Sequence, residues 1–97
     1  MNEYIARRSL DEYSLAEYLE TAAVVDDLYH RIGELEDTIS ALDENIETAE
    51  HSGLDEVVEA LCKSRNNLNL NRLDLEIELH KLEIKLAKFE KIRMLTK

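Results

Sequence analysis

The stretch from Leu68 to Phe89 constrains the fold of this chain more than any other. At about 100° per residue, its apolar residues fall on two opposite sides of a helix. The first side holds Leu68, Leu75, Leu79, Leu82, Leu86 and Phe89, and the second holds Leu70, Leu73, Ile77 and Ile84. The preceding chain can cover only one side. We therefore expect a second copy, or another protein, on the other side.

Part of this stretch also alternates as a strand would. Leu73, Leu75, Ile77 and Leu79 are separated by polar residues, and such alternation is typical of a half-buried strand. However, the polar positions carry Glu, Asp, Lys or His, the apolar ones are mostly Leu, and β-branched residues are scarce. These residues favour a helix, and no Gly or Pro follows Gly53 to turn a hairpin of strands. We predict a helix.

The first half of the chain carries a coiled-coil pattern. Its apolar residues recur at alternating spacings of four and three, at Leu28, Ile32, Leu35, Ile39, Leu42, Ile46 and Ala49. In heptad terms Ile occupies the a positions and Leu the first three d positions. This pattern favours two strands in a parallel coiled coil and also fits an antiparallel pair. His51-Ser52-Gly53 is the turn signal that favours the antiparallel arrangement.

The predicted fold is all-α, a long antiparallel helical hairpin like a coiled coil, which dimerises into a helical bundle. One domain spans residues 1–97, with the first helix at about 9–50, the turn at 51–53 and the second helix at about 54–95. Ser9 and Glu12 have capping-box spacing, as Ser52 and Asp55 approximately do, so these serines are expected to start the two helices.

Few breaks in the chain and a small interior support this architecture. There is no proline, and Gly33 and Gly53 are the only glycines, which suits long helices joined by one turn. Gly33 is expected to be a tolerated weak point or a close helix contact. A two-helix hairpin of this size has little interior. We expect homodimerisation through Leu70, Leu73, Ile77 and Ile84 to supply the missing apolar burial.

The charge of the chain is unevenly distributed. The 97 residues carry a net charge of −10. Residues 1–60 hold seventeen acids against three Arg, a net of −14, whereas residues 61–97 hold nine Lys or Arg against five acids, a net of +4. An antiparallel hairpin lays the acidic start of the chain beside its basic end. Part of the imbalance is therefore self-complementary.

Several classes of function are disfavoured. The single Cys62 permits no intramolecular disulfide, and the lack of a leader or long apolar run predicts a cytoplasmic protein without membrane contact. Only Asp27-x-x-His30 approaches the Glu-x-x-His pairs of a di-iron bundle, so no metal or cofactor is expected. No nucleophile or phosphate-loop motif is present, so we expect no enzyme. The acidic charge opposes direct nucleic-acid binding.

Acidic residues concentrate around the predicted turn. Ten acids and no Lys or Arg lie between Arg31 and Lys63. Six of them fall outside the heptad seam: Asp37, Asp43, Glu44, Glu47, Glu50 and Glu56. Glu47 and Glu50 sit at a helix C-terminus, where negative charge is unfavourable, so stability does not account for them. They form either a solvated surface or a docking surface for a basic partner.

The expected function is non-catalytic protein binding, as a small adaptor, chaperone or inhibitor. The alternative is an acidic nucleic-acid mimic of viral or mobile-element type, which blocks a DNA- or RNA-handling host protein. A second alternative is a purely structural coiled-coil assembly unit. The Asn-rich segment 66–71 is either a solvated, slightly irregular part of the second helix or a polar layer that fixes register in an oligomer.

Overall fold

In a computed structural model, the chain is a rod built from two antiparallel helices. The structure describes the backbone of residues 2–95 and the side chains of residues 15–92. Helix α1 spans Asn2–His51 and helix α2 spans Asp55–Leu95. No strand occurs in residues 2–95, so the helical hairpin is confirmed. The rod measures 77 × 17 × 14 Å, and its length matches the roughly 75 Å expected of a 50-residue helix.

Helix α1 begins earlier than the sequence predicts. Its first residue is Asn2 rather than Ser9, because residues 2–8 contain neither Gly nor Pro to stop a helix from extending. The Ser9 and Glu12 side chains of the predicted capping box lie outside the described side chains. The helix also runs without a break through Gly33.

The turn is a Schellman motif centred on Gly53. The Gly53 N–H donates to the Glu50 carbonyl at 3.1 Å, and the Leu54 N–H donates to the Ala49 carbonyl at 3.0 Å. This pair of bonds requires a left-handed residue at the position of Gly53, which has a φ of 71°. The predicted turn at 51–53 is thus close to the observed connection, which consists of residues 52–54.

Ser52 does not start the second helix. Its N–H donates to the Thr48 carbonyl at 3.1 Å, so it belongs to the end of α1. The hydrogen bonds of α2 begin at Leu54, whose carbonyl accepts from the Val58 N–H at 3.0 Å. The capping-box prediction for Ser52 and Asp55 is therefore wrong, because the Schellman bonds place Ser52 in the closing turn of α1.

The two helices meet along the predicted seam. Leu28, only 2% exposed, joins Val25, Ile32 and Leu79 in the core. Leu75, Leu82 and Leu86 pack against this cluster from α2. Further along α1, Ile39, Ile46 and Ala49 are also buried. The seam thus brings the region of Leu28 beside Leu79, as an antiparallel hairpin requires.

Candidate interaction surfaces

The side of α2 that faces away from α1 carries an exposed apolar row. We call it the outer stripe, and it consists of Leu70, Leu73, Ile77 and Ile84. These side chains are 47 to 60% exposed, whereas residues on the opposite side of α2 such as Leu79 and Leu82 pack into the seam. The sequence prediction of two apolar sides on α2 is confirmed. Within the protomer, only one side is covered.

The outer stripe has a symmetrical frame of charges. Leu70, Ile77 and Ile84 follow one another at intervals of seven, and the same interval continues to Lys63 and Lys91. Asp74 and Lys81 lie along one edge, also seven residues apart and both exposed. Among the described side chains, neither Asp74 nor Lys81 has an ion pair.

The acids along the other edge of the stripe have neighbours within the protomer. Arg72 Nε lies 3.6 Å from Glu76 Oε1, close enough for an ion pair and too far for a hydrogen bond. Further along, a hydrogen bond between the Tyr29 hydroxyl and Glu83 raises the pKa of the tyrosine above its ordinary value of 10.0. Partial burial and the negative charge of Glu83 act in the same direction. Both carboxylates on this edge therefore have a neighbour in their own chain.

The six acids predicted around the turn are all exposed. We call Asp37, Asp43, Glu44, Glu47, Glu50 and Glu56 the acidic turn end. Asp43 differs from the other five, because Arg65 Nη1 donates to its Oδ1 at 3.1 Å across the hairpin. No ion pair reaches the other five within the described side chains. Five carboxylates are therefore without a charged neighbour that would neutralise them.

The helix dipoles explain the placement of only some of these acids. Glu56 lies in the first turn of α2, where the helix dipole stabilises a negative charge. Glu47 and Glu50 lie near the C-terminal end of α1, which closes at His51, and there the dipole opposes a negative charge by about 0.3–1 kcal/mol each. Their placement therefore works slightly against the stability of the helix.

The structure also describes the residues that were considered for other chemistry. In the described part of the chain, no three His, Cys, Asp or Glu side chains are grouped to hold a metal ion, and no helix has the apolar length that a membrane crossing needs. Cys62 is half-buried, with its Sγ 3.9 Å from Arg65 Nη2. An open groove between the helices is lined by Arg31, Glu34, Leu35, Thr38, Asn71 and Leu75.

The Asn-rich segment is a regular part of α2. Asn66, Asn67 and Asn71 are exposed, and Asn69 is half-buried. A long helix tolerates such residues because each costs only a few tenths of a kcal/mol relative to better helix formers. The solvated alternative thus describes most of this segment in the protomer.

Sequence reasoning missed the contacts that close the end of the hairpin opposite the turn. Lys85 Nζ lies 2.9 Å from Glu17 Oε1, and the Tyr18 hydroxyl donates to Glu90 Oε1 at 3.3 Å. The Tyr18 ring meets Phe89 edge-on, with 6.3 Å between centroids. An antiparallel alignment of the two halves about Gly53 could have found these pairs. In such an alignment, the residue numbers of any two facing residues add up to about the same value.

Comparisons with known proteins do not extend this description. No family model, no curated protein and no solved structure matches the chain.

Proposed function

We propose that this chain is a non-catalytic protein-binding module of the cytoplasm, acting as a small adaptor, chaperone or inhibitor. It binds through two surfaces, the outer stripe and the acidic turn end. The observation that carries the proposal is the exposure of four large aliphatic residues in one row, Leu70, Leu73, Ile77 and Ile84. A contiguous apolar row in water marks an interaction site far more often than scattered apolar residues do.

The outer stripe is proposed to form a homodimer. A lone hairpin of two helices buries little apolar surface, and the described side chains include only seven buried apolar residues. Pairing of two stripes would remove apolar surface from water on both copies, at roughly 25 cal/mol per Å². Homodimerisation therefore compensates for the small interior of the protomer.

Sedimentation tests the homodimer. The wild type is expected to be a dimer at tens of micromolar, and Leu73→Glu with Ile77→Glu is expected to give monomers. The matched control is Leu19→Glu with Val24→Glu, which alters exposed apolar residues on α1 and should leave the dimer intact. A monomeric wild type, or a control that dissociates equally, would contradict the assignment of the interface to α2.

The acidic turn end is proposed to dock a basic protein. Five of its carboxylates are exposed without an ion pair in the described part of the chain, and two of them oppose the helix dipole. A basic partner would neutralise these charges without requiring any rearrangement of the helices. Electrostatic contact of this kind raises association rates and specificity, and it weakens as salt increases.

Neutralisation of these acids tests the docking surface. The protein that the wild type captures from a cell lysate would be purified and titrated against a variant in which Asp37, Glu44, Glu47, Glu50 and Glu56 become Asn or Gln. Asp43 stays, because it pairs with Arg65 across the hairpin. Affinity should fall at least about fivefold, because five exposed pairs at about 0.2–1 kcal/mol each sum to at least about 1 kcal/mol.

A charge-matched control separates local contact from net charge. Neutralising Glu20, Asp26, Glu78, Glu83 and Glu90, which lie far from the turn, removes the same number of charges and should leave the affinity nearly unchanged. Equal losses of affinity in both variants would show that only net charge matters. No loss of affinity in either variant would show that the acidic turn end is only a solvated surface. If no protein binds and only self-association remains, the structural coiled-coil alternative replaces the proposal.

The nucleic-acid mimic is tested with the same partner. A mimic occupies the groove that phosphates would occupy, so DNA or RNA should compete with it for the captured protein. An ordinary adaptor binds elsewhere and need not compete. Displacement by nucleic acid that depends on the five acids would favour the mimic.

A further inference from the structure

We propose that a second copy covers the outer stripe in antiparallel orientation, with a twofold axis passing close to Ile77. This inference deepens the proposed function and rests on its homodimer. It adds the orientation of the two copies and the residues that face each other. In this arrangement Leu70 of one copy lies beside Ile84 of the other, and the two Ile77 side chains meet at the axis.

The outer stripe is symmetrical about Ile77. Read in steps of seven, the outward positions of α2 are Lys63, Leu70, Ile77, Ile84 and Lys91. This order is the same in both directions, with charged residues at the ends and aliphatic ones at the centre. A twofold interface places the same patch of both copies face to face. An antiparallel pair centred on Ile77 therefore buries the three aliphatic residues and sets Lys63 of each copy near Lys91 of the other at the ends of the stripe. There Glu59 pairs with Lys63 at 3.7 Å and offsets part of the positive charge.

The charges along one edge of the stripe also suit an antiparallel pair. Asp74 and Lys81 are exposed and lie on the same edge, on opposite sides of Ile77. A twofold axis near Ile77 brings Asp74 of each copy beside Lys81 of the other, which gives two ion pairs. The acids of the other edge, Glu76 and Glu83, have Arg72 and Tyr29 beside them in their own chain.

The position of the acidic turn end favours the same orientation. The turn at Gly53 lies 24 residues from Ile77, or roughly 36 Å along the helix. An antiparallel pair thus separates the two acidic turn ends by roughly 70 Å. A parallel pair would set the first turns of the two α2 helices, with Asp55 and Glu56 of each copy, side by side at about 10 Å, a helix-to-helix distance comparable to the Debye length in physiological salt. Repulsion between like charges therefore disfavours the parallel arrangement.

Disulfide mapping tests the orientation. On a Cys62→Ala background, single cysteines are introduced as Leu70→Cys, Ile77→Cys and Ile84→Cys, and each protein is oxidised under native conditions. Ile77→Cys is expected to cross-link with itself. Leu70→Cys and Ile84→Cys are expected to cross-link when mixed and to remain uncross-linked when each is alone.

The other outcomes overturn the inference. If Leu70→Cys and Ile84→Cys each cross-link alone and not with each other, the copies are parallel, while the homodimer of the proposed function stands. If no variant cross-links and the wild type sediments as a monomer, both the orientation and the homodimer are wrong. Docking at the acidic turn end is measured separately and is unaffected by either result.

A charge exchange tests the register without cysteines. Asp74→Lys should weaken dimerisation roughly tenfold, because two attractive pairs become repulsive. Adding Lys81→Asp should restore it to near the wild-type value, since the ion pairs are re-formed with reversed signs. Failure of the double variant to recover, with an unchanged helical spectrum, would overturn the pairing of Asp74 with Lys81.

Discussion

The two helices contribute to the seam unequally. Of the apolar residues that are buried among the described side chains, Val25, Leu28, Ile32, Ile39, Ile46 and Ala49 belong to α1, and only Leu79 belongs to α2. The seam positions of α2 between Leu61 and Leu79 include Arg65 and Arg72, whose side chains remain about a third exposed. The seam residues of α1 are therefore more completely buried than those of α2.

This difference indicates which helix is available for assembly. The seam row of α1 is covered within the protomer, whereas Leu15, Leu19, Val24 and Tyr29 of the same helix are exposed. Helix α2 has a half-buried inner side and an exposed outer stripe, so further apolar burial is available there. The same helix carries most of the basic residues of the chain, whereas α1 carries most of its acids. We therefore expect the assembly and stability of this protein to respond differently to matched changes in the two helices.

A matched pair of core truncations should show the largest effect. Leu28→Ala removes a side chain that is 2% exposed and should lower the free energy of unfolding by about 2–5 kcal/mol. Leu82→Ala removes the same atoms from a half-buried site and should cost only about 1–2 kcal/mol. Chemical denaturation at equal protein concentration measures both, because stability depends on concentration when copies associate. Equal losses would show that the α2 side of the seam is as well covered as the α1 side.

The two glycines should respond to alanine with opposite signs. Gly53→Ala should destabilise the hairpin by about 1–2 kcal/mol, because Gly53 has a φ of 71° and a Cβ is strained there. Gly33→Ala should stabilise it by about 0.5–1 kcal/mol, because the residue lies inside α1 and an added Cβ meets no atom within 4 Å. The close helix contact considered for Gly33 is therefore wrong. Thermal unfolding of both variants checks the prediction, and a destabilised Gly33→Ala would contradict the continuous α1.

Cross-helix ion pairs should contribute little. Arg65 with Asp43 and Lys85 with Glu17 join the helices at 3.1 and 2.9 Å, but all four side chains are substantially exposed to water. Double-mutant cycles with Asn, Gln or Ala should therefore give about 0.2–1 kcal/mol per pair, decreasing as salt is raised. A coupling of several kcal/mol would mean that α2 is held on α1 by its edges and not by the seam.

The contact between Tyr29 and Glu83 should give the smallest effect. Because Glu83 raises the pKa of Tyr29 above 10.0, the contact stabilises the fold fully below the pKa of the unfolded chain. That stabilisation is lost as pH rises through the higher pKa of the folded state. Glu83→Gln should lower the midpoint of Tyr29 in an NMR titration of labelled tyrosine. An unchanged midpoint would show that the two side chains do not interact in solution.

The general architecture was accessible from the sequence because it depends on local patterns. Heptad spacing from Leu28 to Ala49 identified the seam of α1, and the two-sided pattern of Leu68 to Phe89 identified both sides of α2. Helix bounds were less accessible. Ser9 and Ser52 have the spacing of capping residues, but α1 continues to Asn2 and Ser52 closes α1 through the Thr48 carbonyl. Spacing of a few residues does not reveal which competing hydrogen bonds form.

The candidate surfaces were partly accessible in the same way. Exposure of the six acids follows from their heptad positions, yet the pairing of Asp43 with Arg65 depends on the register between the helices. No local pattern contains that register, since Asp43 and Arg65 are separated by the whole turn.

The sequence by itself determined that this protein is helical, that it turns near Gly53 and that α2 has two apolar sides. These properties follow from residue preferences and periodicity within a single helix, where each residue interacts with neighbours three or four positions away. Only the tertiary structure decided which acid acquires a cation and which side of the seam is buried more completely. Those outcomes depend on the register and depth at which α1 packs on α2, and both are set by contacts between residues far apart in the chain.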